Sequence, residues 1–334
     1  MKTIFKNNRI KISILTLVTP FLISWGMYGH EHINRAAVLL LPPTSLLNFF
    51  YNHIDFITQE STVPDLRKYT LKDKSENPRH FIDLENYGTM DSLPPTLADA
   101  KKKYEEKFLQ ENGILPWFII DMMDKLTRAM KEKRKTDILF IAADLGHYIG
   151  DAYMPLHTTA NYDGQATNQK GIHSFWESQL PELFGGAYNY NAGQARYIDN
   201  VQQATWNIIA ASHLLIDTVY KTESDLARTY EAEKIYAKDK DGSVSKTKFN
   251  QQIHSSEYAK AYHEKLQGMV EKQMRGAITS TTDFWYTAWV NAGKPDLSDL
   301  DTEEQTNRNK ANLKRELDLL KQGKVTDVQS EKEF

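Results

Sequence analysis

Histidine and carboxylate residues recur at helical spacing in the first half of the chain. His147 precedes Asp151 by four residues, and His173 precedes Glu177 by the same interval. On a helix this interval places both side chains on one face, where they can bind each other or a common ion. His157 lies beyond a proline that ends the helical pattern of the first pair, so it can point back toward that pair. An isolated pair is usually a structural hydrogen bond, whereas two pairs and a nearby histidine favour a metal site.

Three further residues are candidate ligands from other segments. Asp65 follows a proline, His80 precedes Asp83 by three residues, and His30 stands close to the start of the mature chain predicted below. Asp65 and Asp83 could have structural roles in place of metal binding. An aspartate often caps a helix, and Asp83 could also orient His80. The chain contains no cysteine, which removes disulfides, thiolate ligands and thiol catalysis. Any metal ion must therefore be held by histidine, carboxylate or backbone groups.

The segments that carry these residues are predicted to be mostly helical. Apolar residues recur at intervals of three and four within residues 44–59, 97–112, 115–133, 137–154, 192–230, 257–292 and 303–321. Alternation typical of strands is scarce, so the predicted fold class is all-α, a helical bundle. Residues 234–251 are charged and poor in large apolar side chains, which predicts an exposed loop. No repeat or linker divides the chain, and we expect one domain at 25–322 followed by a polar tail at 323–334.

The first 24 residues form a segment of a different kind. They contain four basic residues and no acidic one, and an apolar run occupies positions 12–23. This arrangement is typical of a secretory signal peptide, and the run is too short for a comfortable membrane span. Without this segment the formal charge falls from −3 to about −7. The sequence predicts cleavage after Ser24 and an exported protein, periplasmic or secreted, without a transmembrane segment and without strong net attraction to polyanions.

Residues 25–30, at the start of the predicted mature chain, complete a recognisable pattern. Together with the histidine and aspartate spacings, they resemble the superfamily that joins bacterial zinc-dependent phospholipases C to single-strand-specific zinc nucleases. The resemblance runs from Trp25 to about Glu177 and implies an all-helical fold with three zinc ions in a cleft. It also implies that the amino-terminal Trp25 binds zinc through its free amine and carbonyl oxygen. Signal removal would then have a chemical purpose, since an amide nitrogen is a poor ligand.

The resemblance also assigns candidate ligands to each of three zinc ions. The first set is Asp65, His80, His147 and Asp151, the second is His157, His173 and Glu177, and the third is Trp25 and His30 with Asp151 bridging to the first. Nitrogen and oxygen ligands suit zinc, and each set leaves room for water or substrate. The implied chemistry is attack of a metal-bound hydroxide on a phosphodiester.

Two residues of the same region are expected to act in catalysis. Asp65 is the candidate for orienting the attacking water while it binds metal. Lys68 matches a position that is often basic in the nuclease branch, where it could stabilise transition-state charge, although a solvated surface lysine explains it equally well. The sequence leaves open whether Lys68 or its neighbour Arg67 contacts the substrate.

The substrate is predicted less directly than the chemistry. Glu177 stands where the nuclease branch usually has aspartate, and many eukaryotic nucleases of this type carry disulfides, so the sequence favours a phospholipase C-like phosphodiesterase. Against this, Tyr28, Leu66 and Asn77 do not make an obvious choline pocket. A single-strand-specific endonuclease and 3′-nucleotidase is the alternative. A non-catalytic exported zinc-binding protein is a weaker one, because structural zinc sites are usually closed and single. No protein partner is evident.

Overall fold

The computed structural model describes residues 26–247, 250–326 and 328, and the side chain of residue 91 is left out. The predicted signal peptide at 1–24 and the candidate ligand Trp25 lie outside the described residues, as does most of the predicted tail. Helices dominate the described part of the chain, which contains no sheet, and this confirms the all-α prediction. Within the same residues, no helix is both long and apolar enough to cross a bilayer.

The first half of the chain folds into a succession of short helices followed by two long ones. They are α1 (Gly26–Leu39), α2 (Ser45–Asn52), α3 (Ile54–Glu60), α4 (Val63–Tyr69), α5 (Leu84–Tyr87), α6 (Leu97–Lys103), α7 (Glu106–Asn112), α8 (Leu115–Lys131) and α9 (Lys135–Ala152). Short 3-10 turns at Asn77–Arg79 and Pro155–Thr158 lie between α4 and α5 and after α9.

The second half begins with an irregular helix and ends with two long regular ones. Its helices are α10 (Ile172–Ser174), α11 (Leu180–Phe184), α12 (Val201–His213), α13 (Ile216–Ala227), α14 (Ala232–Ile235), α15 (Ser256–Lys265), α16 (Met269–Asn291) and α17 (Glu303–Lys321). A π-helical turn, Phe175–Gln179, joins α10 to α11. Residues 236–247 and 250–254 belong to an excursion that contains three isolated antiparallel bridges. This excursion lies where an exposed loop was predicted, at 234–251, and it differs from that prediction in having bridges.

Several of the predicted helices prove to be two. The segment 257–292 is divided because Gln267 and Gly268 have φ of 51° and 76°, a left-handed conformation that a right-handed helix cannot contain. The segment 97–112 is divided at Tyr104, whose backbone is extended and whose ring packs on Tyr87 and Phe108. Apolar periodicity continues through such breaks, so it predicts the buried face and not the interruption.

Two further predicted helices differ from the observed ones in a similar way. The segment 44–59 is divided at His53, whose Nε2 lies 2.8 Å from Asp301 Oδ1. The segment 192–230 becomes helical only at Val201, where the Asn200 side chain caps the helix by accepting a hydrogen bond from the Gln203 backbone. The residues before it, from position 192, form neither helix nor strand.

Four helices, α1, α8, α9 and α16, pack against one another at the centre of the bundle. Polar side chains link them within an otherwise apolar interior. The indole of Trp285 in α16 donates to the carbonyl of Ala142 in α9 at 3.0 Å. Asn34 in α1 donates to the carbonyls of Ala143 and Ile57, each at 3.1 Å. Truncating a side chain like Trp285, which is fully buried, costs about 3–5 kcal/mol, so the mutual position of α16 and α9 is strongly fixed.

Helix α17 is attached to this centre by a buried ion pair. Arg35 in α1 donates to Glu316 in α17 at 2.9 Å, and Tyr51 in α2 donates to the same carboxylate at 2.8 Å. Arg35 is 2% exposed and Glu316 is 4% exposed. Breaking such a pair by removing one partner costs about 3–5 kcal/mol, because it leaves an uncompensated buried charge. The last helix is therefore an integral part of the bundle.

Candidate metal centre

The structure brings together every sequence-predicted ligand that lies in its described part. They come from α1 (His30), α4 (Asp65), the turn before α5 (His80), α9 (His147 and Asp151), the turn after α9 (His157), α10 (His173) and the π-helical turn (Glu177). None of these residues is more than 6% exposed. Buried charged groups are stable only when they are paired or bind ions, so this concentration requires an electrostatic partner.

Asp151 occupies the middle of the centre. Its Oδ2 lies 3.0 Å from His80 Nδ1 and 3.2 Å from His147 Nε2. Its Oδ1 lies 3.4 Å from His157 Nδ1 and 3.6 Å from His30 Nε2. Each oxygen therefore faces a different pair of imidazoles, an arrangement that allows one carboxylate to bridge two ions.

The first cluster contains Asp65, His80, His147 and Asp151. His80 Nδ1 lies 3.1 Å from His147 Nε2 and 3.6 Å from Asp65 Oδ1. Ligand atoms around a tetrahedral zinc ion lie about 3.3 Å from one another, given bonds of about 2.0–2.1 Å to nitrogen or oxygen. The separations in this cluster, from 3.0 to 3.6 Å, fit the edges of such a tetrahedron.

The second cluster contains His157, His173 and Glu177. The two Nε2 atoms are 3.3 Å apart, Glu177 Oε1 is 3.0 Å from His173 Nε2, and Glu177 Oε2 is 3.6 Å from His157 Nε2. Two imidazole nitrogens at this distance must share a proton or a cation. The donor set could hold a divalent metal ion, with room for a fourth ligand.

His30 is the described residue of the third candidate set. Neither of its ring nitrogens has a hydrogen-bond partner within the described residues, although the side chain is only 1% exposed. Its ring stacks on His147 with centroids 3.9 Å apart. Burial holds the pKa of His30 well below its usual value, which keeps the imidazole neutral. A neutral buried imidazole with unused nitrogens fits a metal ligand better than a structural hydrogen bond.

The buried carboxylates of the centre are stabilised by positive charge beside them. Burial acts to raise the pKa of Asp151, but the His147 and His157 rings outweigh this effect and hold that pKa well below its usual range. In return, and against the opposing effect of burial, Asp151 raises the pKa of His147 to about 9. Divalent cations at the same place would satisfy the same carboxylates without protons on the imidazoles.

Contacts behind the ligands fix the orientation of their rings. His147 Nδ1 lies 2.7 Å from the carbonyl oxygen of Ser61, and His173 Nδ1 lies 3.1 Å from that of Tyr162. A nitrogen that faces a carbonyl oxygen must carry the proton, so each Nε2 is left with its lone pair directed into a cluster. Gly150 leaves space for His30, since a Cβ at this position would lie 3.1 Å from His30 Nδ1.

A cavity of about 310 Å³ opens beside the two clusters. His80, His157 and His173 form part of its wall, and the other residues in contact with it are Lys68, Tyr69, Asn77, Phe81, Asp83, Glu111, Leu156 and Tyr162. Burial, reinforced by the charge of Glu85, raises the pKa of Asp83 to about 7. The cavity therefore combines aromatic faces, one lysine and a carboxyl group that is partly protonated at neutral pH.

The structure separates Lys68 from its neighbour Arg67. Lys68 is half-buried in the cavity wall, with its Nζ 4.7 Å from the centre of the Tyr69 ring. Arg67 instead donates to Asp144 at 2.7 Å and to Glu76 at 3.1 Å. Arg67 is thus engaged within the protein, and Lys68 is the one of the two that faces the clusters.

Sequence reasoning missed Glu76 and Asp163. Glu76 is fully buried and its Oε1 lies 3.5 Å from His80 Nε2. Its spacing to His80 is the same four-residue interval that identified the two histidine pairs, so the signal was present. Asp163 accepts hydrogen bonds from the backbones of Gly171 and His173. Because Asp163 makes these contacts from a loop, the helical spacing of side chains does not predict them.

Comparison with known proteins assigns the family. The model of the S1/P1 Nuclease family matches residues 25–278, which is more than half of the chain. A search of curated proteins found no match. The chain belongs to the S1/P1 nuclease family, and it is a hydrolase that acts on phosphodiester bonds. This confirms the resemblance, and it supports the nuclease alternative better than the phospholipase C-like prediction.

Proposed function

We propose that this protein is a zinc-dependent nuclease that cleaves single-stranded nucleic acid at the centre around Asp151. The observation that carries the proposal is the position of this carboxylate between two clusters of buried imidazoles. Three of the clustered histidines, His80, His157 and His173, form part of the wall of a cavity with room for substrate. The family to which the chain belongs supports a phosphodiester substrate of this class.

The proposed centre holds three zinc ions. Asp65, His80, His147 and Asp151 would hold the first, and His157, His173 and Glu177 the second. Trp25 and His30, with Asp151 shared, would hold the third. Zinc supplies Lewis-acid polarisation of a phosphoryl oxygen and lowers the pKa of a bound water to about 7. The Asp65 carboxylate, at the edge of the first cluster, would accept a hydrogen bond from the attacking water and so orient it toward phosphorus.

Lys68 would stabilise the charge that develops on the phosphoryl group. Lys68 lines the cavity, and its charge acts on both Asp65 and His157. A fixed positive charge beside the reacting phosphate is worth more in the transition state than in the ground state, because the negative charge increases there. Arg67 does not take this role in our account, since it is bound to Asp144 and Glu76.

The cavity favours a nucleotide over a choline headgroup. Lys68 would repel a quaternary ammonium ion, and an Asp83 carboxyl with a pKa of about 7 is a weak counter-ion for one at neutral pH. The rings of Phe81 and Tyr162 offer flat apolar faces of the kind on which unpaired bases stack. Bases are available for such stacking in single strands and not in a duplex, which agrees with single-strand specificity.

Removal of residues 1–24 belongs to the same proposal. The family match begins at Trp25, which is the predicted first residue of the mature chain. A free amino group at Trp25 would complete the set of His30 and Asp151, and the enzyme would act after export. A protein with an additional residue before Trp25 is expected to bind one zinc ion fewer.

The experiment is a comparison of substrates with the protein that begins at Trp25. Single-stranded DNA, the matching duplex and phosphatidylcholine vesicles are incubated with it in zinc-containing buffer, and each reaction is repeated with a chelator. We expect chelator-sensitive cleavage of single-stranded DNA, much slower cleavage of the duplex, and no release of phosphocholine. Phosphocholine release without DNA cleavage would reject the nuclease and restore the phospholipase C-like prediction, which the glutamate at position 177 favours.

A further inference from the structure

His80 differs from two other histidines of the centre in what its outer nitrogen faces. The outer nitrogens of His147 and His173 lie against neutral backbone carbonyl oxygens. The outer nitrogen of His80, Nε2, lies 3.5 Å from the Glu76 carboxylate, while its Nδ1 faces the first cluster. A carbonyl can orient a ring, but a carboxylate also adds a full negative charge to the imidazole.

The Glu76 carboxylate is itself held in place by strong donors. It accepts a hydrogen bond from the Tyr148 hydroxyl on Oε1, and its Oε2 accepts from Arg67 Nε at 3.1 Å and Arg79 Nη1 at 2.8 Å. Glu76 is fully buried, so these contacts are little screened by water. Its carboxylate cannot turn away from His80 without breaking its ion pairs with Arg67 and Arg79.

We propose that Glu76 is the positioning residue of the first cluster, which selects the His80 tautomer protonated at Nε2 and directs the Nδ1 lone pair to the metal. The inference rests on the proposed function, because it treats His80 as a metal ligand. Partners of this kind behind a histidine typically change metal affinity by about 10–100-fold. Glu76 does not touch the substrate, and its effect on catalysis passes through His80.

Replacement of Glu76 by glutamine isolates the charge from the shape. The amide has the same size, but it can present either its oxygen or its NH2 group to His80, so it no longer selects one tautomer. The charges of Arg67 and Arg79 then remain beside the imidazole without their shared counter-ion. Both changes weaken the binding of a dication at Nδ1.

The test uses the mature protein labelled with 15N-histidine, without substrate. In the metal-free state, the ring nitrogen chemical shifts report the tautomer of His80, assigned by its absence in H80N. Competition with a chelator then gives the zinc affinity of each site. For E76Q we expect mixed tautomers of His80 and an affinity about 10–100-fold lower at one zinc site, with the other sites within about threefold of wild type.

Two further variants make the outcome specific. Asp144 binds Arg67 as Glu76 does, and in the part of the chain that the structure describes no hydrogen bond or ion pair joins it to His80. D144N should therefore keep the wild-type tautomer and affinity. E76D keeps the charge but withdraws it by one methylene, and we expect an affinity between those of wild type and E76Q. If E76Q does not fold, the test is whether E76D has a lower zinc affinity than D144N.

The possible failures are distinguishable. If E76Q and E76D keep the wild-type tautomer and zinc affinity, or if D144N loses as much as they do, the role of Glu76 is rejected and the metal centre stands. If the wild-type protein binds no zinc at all, the proposed function itself is rejected.

Discussion

The two carboxylate oxygens of Asp151 face two different groups of imidazoles in the candidate metal centre. One carboxylate oxygen faces His80 and His147, and the other faces His157 and His30. In the proposed function the mechanism therefore depends most on this carboxylate, and it requires no serine, threonine or cysteine nucleophile.

Replacing Lys68 with alanine is expected to lower kcat on single-stranded DNA by about 10²-fold, because it removes the fixed cation beside the reacting phosphate. The amount of bound zinc should not change, since Lys68 is not a ligand. Steady-state kinetics and metal analysis of the same preparation check both statements. K72A is the matched control, because Lys72 is an exposed lysine four residues further along. Equal losses in the two variants would show that only general surface charge matters.

Glu31 gives a prediction about pH. Burial raises the pKa of this carboxyl from 4.5 to about 7, so in the folded state it keeps a proton that the unfolded chain has already lost. Stability therefore falls as pH rises above about 4.5, and the loss is complete above pH 7, where it amounts to at most about 3 kcal/mol. E31Q lacks this loss and should gain stability relative to wild type between pH 5 and pH 8.

Urea unfolding of the metal-free proteins at several pH values measures this difference. D217N, which removes an exposed carboxylate of α13, should show no such trend. A constant difference between E31Q and wild type across the pH range would contradict the assignment.

At the scale of residues, local spacing was informative and long-range proximity was not. The pairs at 147 and 151 and at 173 and 177 could be predicted because a helix brings residues four apart onto one face. Nothing in local spacing places Asp65 near His80, and only the resemblance to a family joined them. Glu76 has the same four-residue spacing to His80, but the segment is charged and contains Pro78, so no helix was predicted there and the spacing was not used.

At the scale of elements, regular amphipathic helices were predictable and their interruptions were not. The helix predicted at 303–321 is observed as Glu303–Lys321, and that predicted at 137–154 is observed as Lys135–Ala152. The break before α16 depends on the left-handed backbone of two residues, which changes no hydrophobic pattern. The bridged excursion at 236–254 rests on backbone hydrogen bonds, and its side chains alone therefore did not reveal it.

The contact of α9 with α1 gives a prediction at this scale. A Cβ at Gly146 would lie 2.0 Å from Asn34 Oδ1, and Asn34 is fully buried with two hydrogen bonds to carbonyl oxygens. G146A is therefore expected to lower the free energy of unfolding by about 2–4 kcal/mol, despite the better helix propensity of alanine. Urea denaturation followed by circular dichroism gives the value.

G186A is the matched control for this glycine substitution. A Cβ at Gly186 meets no atom within 4 Å, so its effect should stay within about 0.5 kcal/mol. If G146A is as stable as G186A, then α9 and α1 do not pack as closely as described, and the position of His147 relative to His30 would have to be revised.

At the scale of the molecule, the bundle and the centre are separable. The core made by α1, α8, α9 and α16 is apolar and continuous, and the ion pair of Arg35 and Glu316 attaches α17, which lies beyond the family match, to the same core. The candidate ligands His30, His147 and Asp151 lie on α1 and α9, among the apolar residues of this core. We expect the helices to survive loss of the metals.

Removal of zinc is thus predicted to abolish activity and to lower the thermal midpoint while leaving the helical signal at 25 °C nearly unchanged. The stabilisation by bound ions follows their concentration relative to Kd and reaches about 4 kcal/mol per site at 1,000 times Kd. Circular dichroism and activity measured on the same chelated sample separate the two effects. Loss of the helical signal at 25 °C would mean that the ions are required for folding.

Stepwise reconstitution of the metal-free mature protein with zinc, following bound zinc and cleavage of single-stranded DNA together, tests the proposed metal centre most directly. We expect three zinc ions per chain at saturation, activity only as the centre fills, and no activity in D151N at any zinc concentration. Full activity in the metal-free protein, or saturation at a single zinc ion, would contradict the proposed centre.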